Sequence, residues 1–131
     1  MSLLLDKANV SYETAMYNLE HKSENIIHMN WACYNISTCV IMGLKYILTM
    51  HNITPKVTQD INLLLRQLYD KCFSFNWYKE LSLLDAELNH WHRNAITSSR
   101  FSVSEDVMSR VVYVVKDMFK YIKHCNLAGL A

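Results

Sequence analysis

The sequence predicts an all-α domain, a five-helix up-and-down bundle organised around a long central second helix. Three observations predict it. Only two glycines (Gly43, Gly129) and one proline (Pro55) occur in 131 residues, too little turn chemistry for a chain of many short strands. Apolar residues recur at spacings of three and four through most of the chain. Finally, the stretch from Asn25 to Asn52 has no proline, and Lys45 is its single Lys, Arg, Asp or Glu. A helix there would be roughly 42 Å long at 1.5 Å per residue, and a helix that is apolar nearly all round is buried nearly all round. A chain of this length fits one domain, residues 1–131, and folding buries about two thirds of the surface that the unfolded chain exposes.

The first helix begins after Ser2 and runs to about Glu20, with Leu4, Ala8, Tyr12, Ala15 and Leu19 forming one buried stripe. The polar joint His21–Glu24 turns the chain, so the second helix returns antiparallel. On that helix Ile36, Val40, Gly43 and Ile47 share one side, and Tyr34, Ile41 and Leu48 fall on another. Neighbouring helices cover part of this surface, and a second copy of the chain covers the remainder. Pro55 closes the element near Asn52. Thr58 caps the third helix, with Asp60 in its first turn and Ile61, Leu64, Leu65, Leu68 and Cys72 in the core. The aromatic run Cys72–Tyr78 packs over an end of the bundle. Asn76 is the N-cap of the fourth helix, whose seam is Trp77, Leu81, Leu84, Leu88, Trp91 and Ala95. Arg93 lies about 140° from Leu88, off this seam, and faces solvent or a second subunit. Ser102 or Ser104 caps the fifth helix, in which Val107, Met108, Val111, Val114, Val115, Met118 and Ile122 are apolar and Lys120, Lys123 and His124 lie near the negative end of the dipole. The tail after Cys125 is expected to fray.

Thirteen basic and twelve acidic side chains give no whole-chain footprint for nucleic acid. Beyond Leu88 the balance tilts to Arg93, Arg100, Arg110, Lys116, Lys120 and Lys123 against Glu105, Asp106 and Asp117, which allows a local basic surface there. Cys33, Cys39, Cys72 and Cys125 show no C-x-x-C pair and read as reduced core thiols. The N-terminal residues lack a secretory pattern, and the second helix is too interrupted by Asn35, Ser37, Thr38 and Lys45 to cross a membrane. A cytoplasmic protein is the expectation. Glu87-x-x-His90 has the spacing of carboxylate-bridged metal bundles, but Glu24 and His28 are spaced differently, so no metal is expected. His90 and His92, about 200° apart on one helix, read as surface groups, and Trp31, Trp77 and Trp91 as core. Two glycines leave no room for a phosphate-binding glycine loop, and no cofactor is expected.

Three stretches resemble the HEPN (higher eukaryotes and prokaryotes nucleotide-binding) family. Val40–Leu48 is similar to the family's A-E-K-a-L-K-a-l-L segment, keeping Leu44 and Lys45 and placing Ile41 where a glutamate is usual. Thr58-Gln59-Asp60-Ile61 is similar to T-H-D-L, with Gln59 for the histidine. Arg93-Asn94 resembles the first half of the ribonuclease motif R-x(4 to 6)-H, whose histidine would fall at positions 98 to 100, where this chain has Ser98, Ser99 and Arg100. Ser99-Arg100-Phe101 also resembles the A-R-Y stretch of small HEPN proteins associated with nucleotidyltransferases. The resemblance implies a homodimer through the second helix and the off-seam face of the fourth. It also implies a noncatalytic binding or regulatory module whose partner is a minimal nucleotidyltransferase or a nucleotide. Arg93, Asn94, Ser98, Arg100 and Lys45 become the ligand-binding or interface residues. The alternative is a ribonuclease of the toxin–antitoxin kind that uses a displaced histidine, His90 or His92, with Arg93. Cleavage by 2′-hydroxyl attack needs a group that titrates near neutrality, and arginine stays protonated.

Overall fold

The computed structural model describes residues 3–129, and every regular element among them is a helix: α1 (Leu3–Glu20), α2 (Ile27–Met50), α3 (Ile61–Gln67), α4 (Tyr69–Cys72), α5 (Asn76–Asn94) and α6 (Glu105–Leu127). The sixth helix relative to the sequence reading is α4, a single turn split off from the end of the expected third helix, just before the aromatic run. It exists because buried Leu68 ends α3 and starts α4 at once: its N–H donates to Leu65 O (3.0 Å), and its carbonyl accepts from Cys72 N (2.9 Å). Within the aromatic run Phe75 meets the Tyr121 ring edge-on at 4.7 Å and Trp77 is buried, so the segment packs against α6.

α1 and α2 form an antiparallel hairpin in which fully buried Ala8 and Ala15 let the helices approach closely. Buried Asn18 bolts the pair together. Its amide donates to Thr14 O (2.9 Å), and its side-chain oxygen lies 2.9 Å from His28 Nδ1, so that ring nitrogen is the donor. α2 ends on backbone geometry, not on Pro55. Asn52 takes the left-handed conformation (φ 60°), its N–H donates to Thr49 O (3.0 Å), and Ile53 N–H donates to Leu48 O (2.9 Å). This is the Schellman arrangement, in which asparagine commonly replaces glycine.

The core is built around α2, against which α1, α3, α5 and α6 all pack. Gly43 allows α6 to come close, because a Cβ there would lie 2.5 Å from Met118 Cε. Outward, α2 leaves one narrow stripe, Trp31, Asn35, Thr38, Met42, Lys45 and Thr49, partly or fully exposed. Trp77 and Trp91 are buried as expected, but Trp31 is 39% exposed. All four cysteines are buried and free.

Two caps differ from the sequence reading, and a third is decided between two candidates. Asp60, not Thr58, caps α3 by accepting from Asn62 N (2.9 Å), while Thr58 Oγ1 accepts from Asp60 N (3.0 Å). Phe75 stands at the N-cap of α5 with no side-chain bond, and Asn76 is already helical. Of the two serines open at α6, Ser104 caps, accepting from Val107 N at 3.2 Å. The Asp60 cap is also the joint between α3 and α5: Asn89 donates to the Asp60 carboxylate (2.9 Å) and accepts from Ile61 N (3.0 Å).

Candidate functional site at the end of α5

Leu88 and Trp91 are buried on the α5 seam, and this fixes where the residues around them point. His92 turns toward α2, where its ring stacks on Tyr34 (centroids 5.2 Å, planes 10° apart) and Nδ1 lies 3.4 Å from Ser37 Oγ. The Ser37 hydroxyl donates to Tyr34 O (2.7 Å). A proton on His92 Nδ1 therefore points at the serine oxygen, and Nε2 keeps its lone pair. Burial, and then the Arg93 guanidinium, hold the His92 pKa below the ordinary histidine value. His92 is thus a half-buried, neutral ring at pH 7, not the surface group the helical spacing predicted.

His90 points the other way and is exposed. It stacks on Phe101 (5.7 Å), and its Nδ1 accepts from Asn94 Nδ2 (3.0 Å), an amide that also donates to His90 O. Arg93 is exposed between them and makes no ion pair among the described residues, while its carbonyl accepts from Thr97 Oγ1 (3.1 Å). The chain then turns over itself: Ser98 N donates to Asn94 O (2.9 Å), and Ser98 Oγ accepts from Arg100 N (3.3 Å). Arg100 is exposed.

This turn and the start of α2 enclose a cavity of about 270 Å³, walled by Trp31, Asn30, Ile96 and Ser98. The structure therefore gathers Arg93, Asn94, Ser98 and Arg100 on one helix end and the turn that follows it. Lys45 does not join them. It lies two helical turns beyond Ser37 on α2, about 12 Å further along the axis at 1.5 Å per residue. Among the described residues no three His, Cys, Asp or Glu side chains converge as metal ligands. Sequence reasoning missed Tyr34, Ser37 and Trp31. The signal for Trp31 was available: it shares a face with Asn35, Thr38, Lys45 and Thr49, and polar residues on one face of an apolar helix mark its outward side.

His51 is the second histidine with a lowered pKa, through burial and then Lys71, and its Nε2 lies 2.7 Å from Tyr121 Oη. As pH falls, unfolded chains take up protons at these two histidines before the folded chain does, so their contribution to stability is present above the ordinary value of 6.5 and is lost below it. Glu105, lowered by its hydrogen bond to Lys22, loses its contribution only below the carboxylate value of 4.5. The melting temperature should therefore fall between about pH 7.5 and about pH 5.5. In a His51→Gln, His92→Gln double variant the fall should be shallower, as calorimetry at the two pH values would show.

A family model described as the HEPN domain matches residues 1–125. Comparison with curated proteins returns no match, and comparison with solved structures returns none either. The family match runs through all six helices and ends on Cys125, a buried residue of α6. The chain belongs to the HEPN domain family.

Proposed function

We propose that this HEPN domain is a noncatalytic binding or regulatory module that holds a nucleotide phosphate against Arg93, beside the Trp31–Ser98 cavity. The observation that carries the reading is what stands where a ribonuclease of the family would carry its histidine: Ser98, Ser99 and Arg100, in a turn whose hydroxyl is bonded to the backbone. Arg93 supplies a free cation for phosphate, and Trp31 supplies an exposed aromatic face for a base. The domain works as a homodimer, supported by the exposed apolar residues Leu3, Val10, Ile27 and Ile96, which lie with Trp31, Thr38 and Met42 around the outward stripe of α2. The protein partner carried by the family resemblance is a minimal nucleotidyltransferase. A cytoplasmic location fits four reduced thiols, and no helix among the described residues is long and apolar enough to cross a membrane.

The test has two arms. Wild-type protein and Arg93→Ala are incubated with mixed RNA in EDTA, and ATP binding is followed by tryptophan fluorescence. The reading expects intact RNA with both proteins, and nucleotide affinity reduced about tenfold or more by Arg93→Ala, the loss expected for a hydrogen bond to a charged group. Cleavage by the wild type but not by Arg93→Ala would overturn it. That outcome belongs to the second reading, a ribonuclease with His92 as base. The unprotonated Nε2 of His92, beside Arg93, favours that alternative. In that case His92→Gln would also abolish cleavage.

A further inference from the structure

α6 carries Lys116, Lys120 and Lys123 at spacings of four and three, so they share one face. None of them is in an ion pair among the described residues. They rim a cavity of about 310 Å³ between α1 and α6, with Asn9 on the opposite wall and the rings of Tyr12 and Phe119 lining it. The two rings meet edge-on at 5.5 Å. A second cavity of about 340 Å³ continues the groove, sharing Lys116 and adding Tyr113, which is 69% exposed. The one carboxylate lining either of these two cavities is Glu105, and it is already bound to Lys22 at 2.8 Å. The lysines therefore face the groove without a counter-charge.

The geometry of this groove, which stands apart from Arg93, points to a track for single-stranded RNA, and we infer that function. Charge complementarity selects a polyanion. Aromatic side chains within a basic groove select one that also has planar faces, because bases stack on rings regardless of sequence. The length selects a chain over a mononucleotide: from Glu105 to Lys123 the groove follows α6 for about 27 Å at 1.5 Å per residue.

The experiment measures anisotropy of a labelled oligouridylate of about 12 nucleotides, a length suited to single-strand binders, across a salt series. The proteins are wild type, a Lys116→Gln, Lys120→Gln, Lys123→Gln triple variant, Tyr113→Ser and Arg93→Ala. Each phosphate neutralised on a single strand contributes about −0.7 to the slope of log affinity against log salt, so the triple variant should have a slope shallower by about 2. Its affinity should drop at least tenfold with an unchanged melting temperature, and Tyr113→Ser should weaken binding several-fold. Arg93→Ala, which leaves the three lysines in place, should change the slope by less than about 1, whatever the ATP assay reads for it. An unchanged affinity and slope in the triple variant would overturn the inference. Polyglutamate of equal charge binding as tightly, with the same lysine dependence, would also overturn it and assign the groove to an acidic protein. Failure of wild type to bind the oligonucleotide would remove the track and leave the Arg93 reading to its own nucleotide assay.

Discussion

Trp91→Ala should remove about 3–5 kcal/mol of folding stability, the range for truncating a fully buried tryptophan. Trp91 has no exposed surface and lies on a helix that packs against α2, α3 and α6. Its neighbours on the seam, Leu88 and Ala95, are equally buried and belong to one helix, so they cannot move independently to fill the space. The void therefore remains, and its walls lose dispersion contacts in addition to the lost transfer energy. Since a domain of this kind has a total stability of about 5–15 kcal/mol, the variant should be partly unfolded at moderate urea concentrations that leave the wild type intact. A urea titration followed by circular dichroism measures this directly. A shift in free energy under about 1 kcal/mol would mean that α5 does not pack into the core as described. The same experiment on Trp31→Ala should give a much smaller loss, because Trp31 is 39% exposed.

Asn89→Ala should cost about 2–3 kcal/mol, more than a typical surface polar substitution. The asparagine makes two bonds at once, donating to the Asp60 carboxylate and accepting from the N–H of Ile61, a residue with no exposed surface. A hydrogen bond to a charged group is worth about 1.5–3 kcal/mol, and a donor left without a partner adds its desolvation cost. Asn89→Asp should be at least as damaging, since it sets a second carboxylate beside Asp60. Asn62→Ala should cost less: it removes a single part-buried bond to Asp85 (2.7 Å). The order Asn89→Asp, Asn89→Ala, Asn62→Ala in denaturant midpoints tests the network. If all three variants matched wild type, Asp60 would be acting as a cap alone. The network also explains why the stretch resembling T-H-D-L has its aspartate where it does. Asp60 closes the N-terminus of α3 and ties it to α5, so its role here is to hold two elements together.

The fold class was legible because it depends on quantities that local sequence records. The spacing of Trp77, Leu81, Leu84, Leu88, Trp91 and Ala95 identified the seam of α5, and all six are buried. The five main helices follow from the same periodicity together with scarce glycine and proline. Boundaries were less legible, because capping depends on which of several competent side chains is geometrically placed. Ser102 and Ser104, or Thr58 and Asp60, are chemically alike in sequence, and only the path of the chain selects between them. Asn52 ended α2 by adopting a left-handed backbone, where Pro55 had been expected to close the helix.

For the candidate site, the sequence by itself determined the residue types: Arg93 with Asn94, no histidine at 98 to 100, and the approximate side of the helix on which each residue lies. Tertiary structure alone decided the environment. It placed His92 on Tyr34 and Ser37, residues more than fifty positions away in the chain. It left Trp31 as a cavity wall, and it separated Lys45 from the group the family resemblance had placed it with. It also set Lys116, Lys120 and Lys123 across a groove from Asn9 and Tyr12. The physical reason is the range of the interactions. Helical periodicity is a property of neighbours within about one turn. Burial, the pKa of a histidine and the walls of a cavity depend on what a distant helix brings to the same place.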